Sequence, residues 1–564
     1  MSSVIQAKQE IVIITTSSVY PPSHISRCIL GRFNVCCYCF LHETQLLKKI
    51  EMSSIEIFPK ETPSAASSPT QSLPVYAVHP NTAEHDVFVT HAVAVSPSKH
   101  RWLVAVCSQA SSVWVYDSIA TTDIILAAIG PLRYHLSFRD ACLFGVTGLT
   151  LGLLPVAFVS TFGPKNGHCT TMLNRLVMGR MSATVMTFLN IATRLSGVII
   201  ELIVAGQILS AVIAFRSVST PVMIIVISAT LSTTLVVIGN KHLDFNYALL
   251  ARVLVMLILA SIVDYSKHSP ATLSLSLVRV KDKDLFDRGF SFASLCVART
   301  MAYAPFAMQR TKTDNSSNRN VLIFVRSLLT HMPGFCYTFV IGAVMGEMTG
   351  VVVAWQDAYT KSTCSVLAEI LQPTGVMLKV FCGVILVIGI MLRTTRFLHS
   401  IVANLYDLNS RFQTVPGPIY STTIIPVCAL LAVLAKDHLI EVMVSVISIT
   451  GYLTSIWFAI LSVEYVLFNR CSGSCNEWLV QGDERRYPFG LASSATFLLG
   501  CTVVVLCMTQ TWYVGPIARL WKHPELDVSL SHPSCRSLLT FSVTAHDLDC
   551  IRSLSHPVYS LPLL

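Results

Sequence analysis

Long apolar runs fill most of the sequence between residues 112 and 510. A transmembrane α-helix needs about 20 largely apolar residues, and most of these runs reach that length. Only 13% of the residues are charged, against about 25% in a typical soluble domain. We therefore expect an all-α, multi-pass protein of the lipid bilayer. Its eleven predicted spans lie at 112–131, 141–160, 184–214, 221–239, 248–264, 290–308, 321–346, 372–407, 418–435, 438–468 and 488–510.

The two ends of the chain differ in composition from this central part. Ser, Pro and Thr accumulate over 53–74, which is typical of disordered segments. The last residues are rich in Ser, His and Pro and contain no run of spanning length. We therefore predict a largely disordered cytoplasmic segment (1–100), a transmembrane domain (101–522) and an irregular tail (523–564).

Lys and Arg concentrate in the loops that follow even-numbered spans. Cytoplasmic loops carry an excess of these residues, so these loops and the N-terminus are expected in the cytoplasm. The loop at 265–289 is an exception, since it is basic although it follows the fifth span. The net charge of +9 then fits contact with anionic lipid, and no basic patch interleaved with aromatic residues indicates nucleic-acid binding.

The third span carries two opposite charges in its middle, Arg194 and Glu201. They are seven residues apart, so they share one helix face about two turns apart. Ionisable side chains at membrane depth are costly and usually face a bundle interior or a wet cavity. Two interpretations stay open: the helix lines a solute path, with Glu201 as a proton-responsive group, or these charges form static pairs with a neighbouring helix.

Charges also interrupt two other spans. Asp117 and Asp123 lie within the first run. Arg393 and Arg396 lie within the eighth run, where we expect a helix break near these arginines or near Ser400.

Four motifs in order along the chain resemble the nucleobase–cation symporter family, in its fungal purine-cytosine permease branch. They are LPVAFVSTFGPKNG (154–167), VAGQILSAV (204–212), GYLTSIWFAILSVEYVLF (451–468) and MTQTWYVGPIARL (508–520). The resemblance implies a LeuT-like helical bundle of five-plus-five inverted repeats with two further helices, of which the twelfth is missing or altered here. It also implies proton-driven import of cytosine and purines across the plasma membrane, through a site at the broken first and sixth helices.

The resemblance also assigns candidate substrate-binding residues. Carried over by position, they are Ser118, Thr122, Gly197, Glu201, Tyr303, Phe306 and Asn404. Several depart from the family pattern: Gly197 stands where the family has Trp, Glu201 where it has Asn, and Tyr303 where it has Trp. The departures fall on the substrate site, whereas the scaffold motifs remain.

We therefore predict a proton-coupled transporter of a nucleobase. The alternatives are a vitamin B6-type transporter of the same family and a non-transporting membrane protein, either a sensor or a degenerate member. We expect no enzymatic activity, because no nucleophile–base motif or phosphate loop stands out. The 18 cysteines are scattered and lack zinc-ribbon spacing, so no metal or other cofactor is predicted.

Overall fold

The computed structural model describes residues 117–163, 170–213, 220–238, 245–267, 285–311, 320–468, 490–510 and 512–520. These residues belong to one compact unit of the chain, Pro80–Leu564. The predicted N-terminal segment (1–100) and tail (523–564) lie outside the described residues.

The described residues form fifteen α-helices and no β-strand. The helices are α1 (Thr121–Tyr134), α2 (Phe138–Ser160), α3 (Thr170–Ile213), α4 (Thr220–Ile238), α5 (Phe245–Lys267), α6 (Leu285–Met301), α7 (Ala304–Thr311), α8 (Asn320–Thr349), α9 (Val353–Lys361), α10 (Ser365–Ile370), α11 (Val376–Leu408), α12 (Gly417–Ala435), α13 (Leu439–Phe468), α14 (Leu491–Cys507) and α15 (Pro516–Leu520).

Each predicted span corresponds to a helix or to a pair of helices separated by a break. Five helical stretches in the described residues are long and apolar enough to cross a membrane, and three shorter apolar helices accompany them. Large apolar side chains such as Leu143, Phe381 and Leu434 are more than 60% exposed on the bundle surface. Such a surface suits contact with lipid tails rather than water.

Two spans are broken at their centres, five spans apart. The first span is interrupted at Ile119–Ala120, where Ala120 has extended backbone (φ −110°, ψ 142°). The sixth span is interrupted at Ala302–Tyr303, between α6 and α7. These breaks at matching places in the two halves agree with the five-plus-five arrangement.

The predicted break in the eighth span is wrong. Helix α11 runs from Val376 to Leu408 without interruption. Arg393 and Arg396 reach carboxylates on other parts of the bundle, as described below. Because carboxylates outside α11 neutralise both arginines, α11 can stay helical at this depth in the bundle.

Three other features departed from the sequence prediction. Helix α3 begins earlier than expected and contains a kink at Gly179, whose backbone has φ 80° and ψ 173°. Such a positive φ favours glycine, which has no Cβ. Two short helices, α9 and α10, fill the connection between the seventh and eighth spans.

The bundle core is built on three helix pairs: α3 packs along α11, α2 along α6, and α1 along α8. Close approach in the second pair depends on Gly148, where an added Cβ would overlap the Ala293 carbonyl of α6. Small residues allow such contacts between membrane helices. Among the described residues, the first pair carries half of the buried Asp, Glu and Arg side chains: Arg194, Glu201, Arg393 and Arg396.

Candidate functional site

A cavity with several charged side chains in its wall lies at the helix breaks, between α1, α3, α6, α11 and α13. It has a volume of about 80 Å³. Its lining comprises Thr122, Thr193, Arg194, Gly197, Ile200, Glu201, Arg299, Ala302, Tyr303, Arg393, Phe397, Met443, Val446, Ile447 and Thr450. Both broken spans contribute to this wall, so backbone that is not helical lies beside a cavity rather than lipid, as the bilayer requires.

Arg393 links three helices at one side of the cavity. Its Nη1 lies 3.2 Å from Glu201 Oε1 and donates to Thr122 Oγ1 at 3.1 Å. Its Nη2 donates to the Tyr303 hydroxyl at 2.6 Å, and Thr122 Oγ1 in turn donates to Glu201 at 3.4 Å. The network therefore ties both helix breaks to α3 and α11.

A second ion pair joins the two broken spans directly. Arg299 on α6 donates from Nε to Asp123 Oδ1 on α1 at 2.7 Å. The Arg299 guanidinium also lies 5.3 Å from the centroid of the Tyr303 ring, within the range of a cation–π contact. The charge that interrupts the first span in the sequence thus has its partner in the sixth.

Arg194 projects from α3 between two aromatic rings. Its guanidinium carbon lies 3.3 Å from the centroid of the Phe306 ring and 5.0 Å from that of Phe397. Arginine stacks well on aromatic faces because its guanidinium is planar and weakly hydrated. These contacts fix the guanidinium in the cavity wall.

Two further arginines support the first helix break. Arg396 Nη2 pairs with Asp117 Oδ1 at 2.5 Å, just before the break. Arg252 on α5 donates from Nη1 to the Ile119 carbonyl at 3.0 Å. Such a carbonyl loses its helical partner when a helix is interrupted, and the Arg252 guanidinium supplies a replacement donor.

Of the seven residues chosen from the sequence, the structure brings four together in the cavity wall: Thr122, Gly197, Glu201 and Tyr303. Phe306 lies beneath Arg194. The substrate-binding roles of these residues remain predictions.

Three of the chosen residues, Ser118, Phe306 and Asn404, are not among the residues that line this cavity. Ser118 is fully buried, with its hydroxyl 2.9 Å from His331 Nδ1. Asn404 is half-buried on α11, and its amide donates to the Ser400 carbonyl one turn back at 2.9 Å. The expected position of Asn404 in the cavity is therefore not found.

Phe397 occupies the space next to Gly197, the position at which the resemblance predicts a tryptophan. A Cβ at Gly197 would lie 3.0 Å from Phe397 Cε2. An aromatic ring from α11 thus covers the position from which a side chain on α3 would otherwise enter the cavity.

The sequence analysis did not select Arg299, Arg393 and Phe397. The charge pattern could have indicated Arg299 and Arg393, because a carboxylate at membrane depth is costly unless it pairs with an opposite charge. Asp123 in the first run predicts a basic partner in another span. The periodicity of a single helix does not identify which span provides it.

Relatives of known activity cover about three quarters of the chain. Purine-cytosine permease FCY21 of Saccharomyces cerevisiae is 23% identical over 426 residues, which are 73% of this chain and 77% of the relative. Purine-cytosine permease fcyB of Emericella nidulans is 23% identical over 412 residues, 72% and 79% of the two chains. The vitamin B6 transporter TPN1 of S. cerevisiae is 20% identical over 487 residues, 76% and 83% of the chains. No family model matches the chain.

Solved transporters have the same fold. The inward-facing conformation of Mhp1 aligns with a TM-score of 0.56 and 14% identity, covering 79% of this chain and 90% of Mhp1. Mhp1 in a closed conformation with bromovinylhydantoin bound, a nucleobase-cation-symport-1 family transporter, gives 0.52 and 11%. The fold prediction is thereby confirmed, and the relatives are transporters rather than enzymes, as expected. The chain is a multi-pass membrane protein with this transporter fold, and its sequence is similar to the fungal purine-cytosine permeases.

Proposed function

We propose that the protein is a secondary active transporter that carries a small nucleobase-like ring compound across the plasma membrane together with a proton. The observation that carries this proposal is the cavity at the two helix breaks, with several charged side chains in its wall, in a chain related to purine-cytosine permeases. The N-terminus lies in the cytoplasm in this proposal, in keeping with the distribution of Lys and Arg.

The cavity offers the contacts that a planar ring needs. Tyr303 and Phe397 provide aromatic rings in its wall, and stacking of a base on such a ring contributes about 1–3 kcal/mol. Thr122 and the guanidinium groups of Arg299 and Arg393 lie in the wall and can form hydrogen bonds with polar atoms at the edge of a bound ring. Alternating access then follows when one helix group of the bundle rocks against the other about this site.

Uptake by intact cells tests the proposal. The full chain is expressed in a cell that lacks its own base and vitamin B6 transporters, and uptake of labelled cytosine, adenine and pyridoxine is measured. We expect concentrative uptake of a base that collapses when a protonophore is added. Uptake of pyridoxine alone would favour the vitamin B6 alternative, which the similarity to TPN1 supports. No uptake of any of the three would favour a non-transporting protein.

Glu201 is the proposed proton-responsive group. It is 3% exposed and pairs with Arg393, which hydrogen-bonds to both broken spans. Protonation of Glu201 would weaken its attraction to Arg393. The change would therefore reach α1, α11 and the break of the sixth span together, and it would give a proton a means of acting on the helix arrangement.

A substitution of Glu201 separates this role from that of a static ion pair. We expect Glu201→Gln to lose accumulation and the pH dependence of uptake while it keeps exchange of labelled for unlabelled substrate. Removing one partner of a buried pair also costs about 3–5 kcal/mol of stability, so the amount of folded protein in the membrane is measured alongside. An unchanged pH profile of accumulation would assign Glu201 a purely structural role.

A further inference from the structure

A second cavity lies between α3, the end of α11 and the 3₁₀ turn Ser410–Thr414 that follows α11. Its volume is about 340 Å³, which exceeds that of the central cavity. Arg175 and Arg180 of α3 both line it. Two guanidinium groups beside one space can donate several hydrogen bonds to the same phosphate or carboxylate group.

The kink in α3 brings these two arginines to the same cavity. In a regular α-helix, residues five positions apart point about 140° away from each other. The non-helical backbone of Gly179 lies between Arg175 and Arg180, and both residues line one space. The kink therefore turns side chains from neighbouring turns of α3 toward a common ligand position.

Contacts with the end of α11 hold the wall of this cavity in place. Arg175 donates from Nη2 to the Asp407 backbone carbonyl at 2.6 Å, and Thr171 Oγ1 donates to Asp407 Oδ2 at 2.9 Å. Asn409, which also lines the cavity, accepts from the Arg411 backbone N–H through Oδ1 at 3.0 Å. The amide nitrogen of Asn409 is a further donor for a ligand.

The cavity lies at the depth where the headgroups of a bilayer begin. Thr184 lines it and precedes Arg194 of the central cavity by ten residues, which is about 15 Å along a helix. The central cavity lies at breaks in the middle of two spans, and half the thickness of a hydrocarbon core is also about 15 Å. Phe188, which is 56% exposed, and Phe412 add apolar rings to the wall. One wall therefore combines donors for a headgroup with apolar surface for acyl chains.

We propose that this cavity binds the phosphate headgroup of an anionic phospholipid. Basic pockets between membrane helices recognise such headgroups through their phosphate oxygens. A soluble phosphate compound has the same oxygens, but the depth of the cavity and the exposed Phe188 ring favour a ligand with acyl chains. In the proposed orientation the site faces the cytoplasmic leaflet, which contains anionic lipids. The binding itself depends neither on that orientation nor on the proposed transport function.

Native mass spectrometry of the purified full chain measures lipid binding directly. Phosphatidylserine is compared with phosphatidylcholine of the same acyl chains, each added to protein freed of lipid in detergent. We expect phosphatidylserine to bind at least fivefold more tightly, and this preference to shrink as salt is raised. Equal affinities for the two lipids would overturn the proposal.

A soluble headgroup separates the two sources of phosphate. Glycerophosphoserine has the headgroup of phosphatidylserine but no acyl chains. We expect it to displace bound phosphatidylserine only at concentrations at least a hundredfold higher than those of the lipid. Displacement at equal concentration would assign the cavity to a soluble phosphate compound and overturn the lipid site.

Variants in the wall locate the effect. Arg180 is exposed, and Arg180→Gln should reduce the preference for phosphatidylserine to twofold or less, whereas Arg180→Lys, which keeps the charge, should retain part of it. The control is Arg411→Gln, which removes a positive charge from a nearby exposed position outside the lining and should leave the preference unchanged. An equal loss in the control would reduce the effect to general surface charge and overturn the site.

A second variant keeps the test decisive if Arg180→Gln does not fold. Thr184→Trp keeps the charge of the wall and places a large ring in the cavity at an exposed position. We expect it to weaken phosphatidylserine binding at least threefold and to leave phosphatidylcholine binding unchanged. Unaltered phosphatidylserine binding would show that the lipid lies elsewhere on the protein.

Discussion

At the scale of single residues, one part of the cavity wall is shaped by a glycine on α3 and an aromatic ring on α11. Gly197 leaves a gap on α3, and the Phe397 ring from α11 lies against it, 3.0 Å from where a Cβ would be. Both residues line the cavity. At this point of the wall, α11 and not α3 therefore provides the aromatic surface.

Introducing a tryptophan at Gly197 should therefore conflict with Phe397. We expect Gly197→Trp to lower the melting temperature in detergent, since overpacking costs about 1–3 kcal/mol. Adding Phe397→Ala should recover part of the loss, because contacting residues couple by about 0.5–3 kcal/mol. Phe339→Ala is the control second substitution, since Phe339 packs on Phe292 instead. Equal effects of both second substitutions would show that Phe397 does not specifically oppose a large side chain at residue 197.

The Tyr303 hydroxyl is a second residue with a specific structural role. It accepts the 2.6 Å hydrogen bond from Arg393 at the break of the sixth span. We expect Tyr303→Phe to destabilise the protein by about 1.5–3 kcal/mol, the usual range for a hydrogen bond to a charged group.

The matched control is Tyr465→Phe, because the Tyr465 ring packs on Phe158 and Phe162 and the substitution keeps the ring. Thermal unfolding of both variants in detergent gives the comparison. If Tyr303→Phe lost no more thermal stability than the control, the Tyr303 hydroxyl would not contribute to the stability of the network.

At the scale of helices, the break in the first span is held by a group from another helix. Arg252 on α5 donates to the Ile119 carbonyl and lies against Gly389 of α11. Because residue 389 of α11 is a glycine without a side chain, there is room for the Arg252 guanidinium beside α11, and the guanidinium reaches the helix break. The unwound segment is therefore fixed by tertiary contacts and not by its own turn residues.

A methyl group at Gly389 should disturb this arrangement. The added Cβ would overlap the Arg252 guanidinium, so Gly389→Ala is expected to lower stability by about 1–3 kcal/mol. The loss should shrink in an Arg252→Ala background, where the overlap is absent.

The control for Gly389→Ala is Gly350→Ala, where the nearest atom would lie 3.4 Å from the new Cβ. Melting curves of the variants in detergent measure the differences. If Gly389→Ala were as stable as the unmodified protein in both backgrounds, the guanidinium would not be confined at this place.

At the scale of the whole molecule, membrane orientation determines which end of the cavity opens to the cytoplasm. In the proposed orientation, which follows the Lys and Arg distribution, the connection between the second and third spans faces the cytoplasm and that between the seventh and eighth faces outside. We expect an epitope tag at Asn166 to be reached by antibody only after the cells are permeabilised. A tag after Lys361, at the end of α9, should be reached in intact cells. The reverse pattern would invert the proposed orientation.

The sequence alone determined the class of the protein and the approximate position of its spans. Apolar runs of about 20 residues have few stable alternatives to membrane helices, because every backbone polar group must be satisfied within the segment. The same limit on charge at membrane depth identified Glu201 and Arg194 as residues of the bundle interior. The motifs indicated the resemblance to a transporter family, and that resemblance predicted Thr122, Gly197 and Tyr303 as candidate site residues.

Only the tertiary structure decided which charges meet. A span's pattern gives the face on which a charge lies but not the helix opposite, so the pairing of Glu201 with Arg393 and of Asp123 with Arg299 could not be read from the sequence. The same holds for Arg393 within α11, whose position in an apolar run predicts a helix break that the structure does not have. A guanidinium at membrane depth either disrupts its helix or finds a carboxylate on another one, and that choice depends on contacts between residues up to 192 positions apart, as for Glu201 and Arg393.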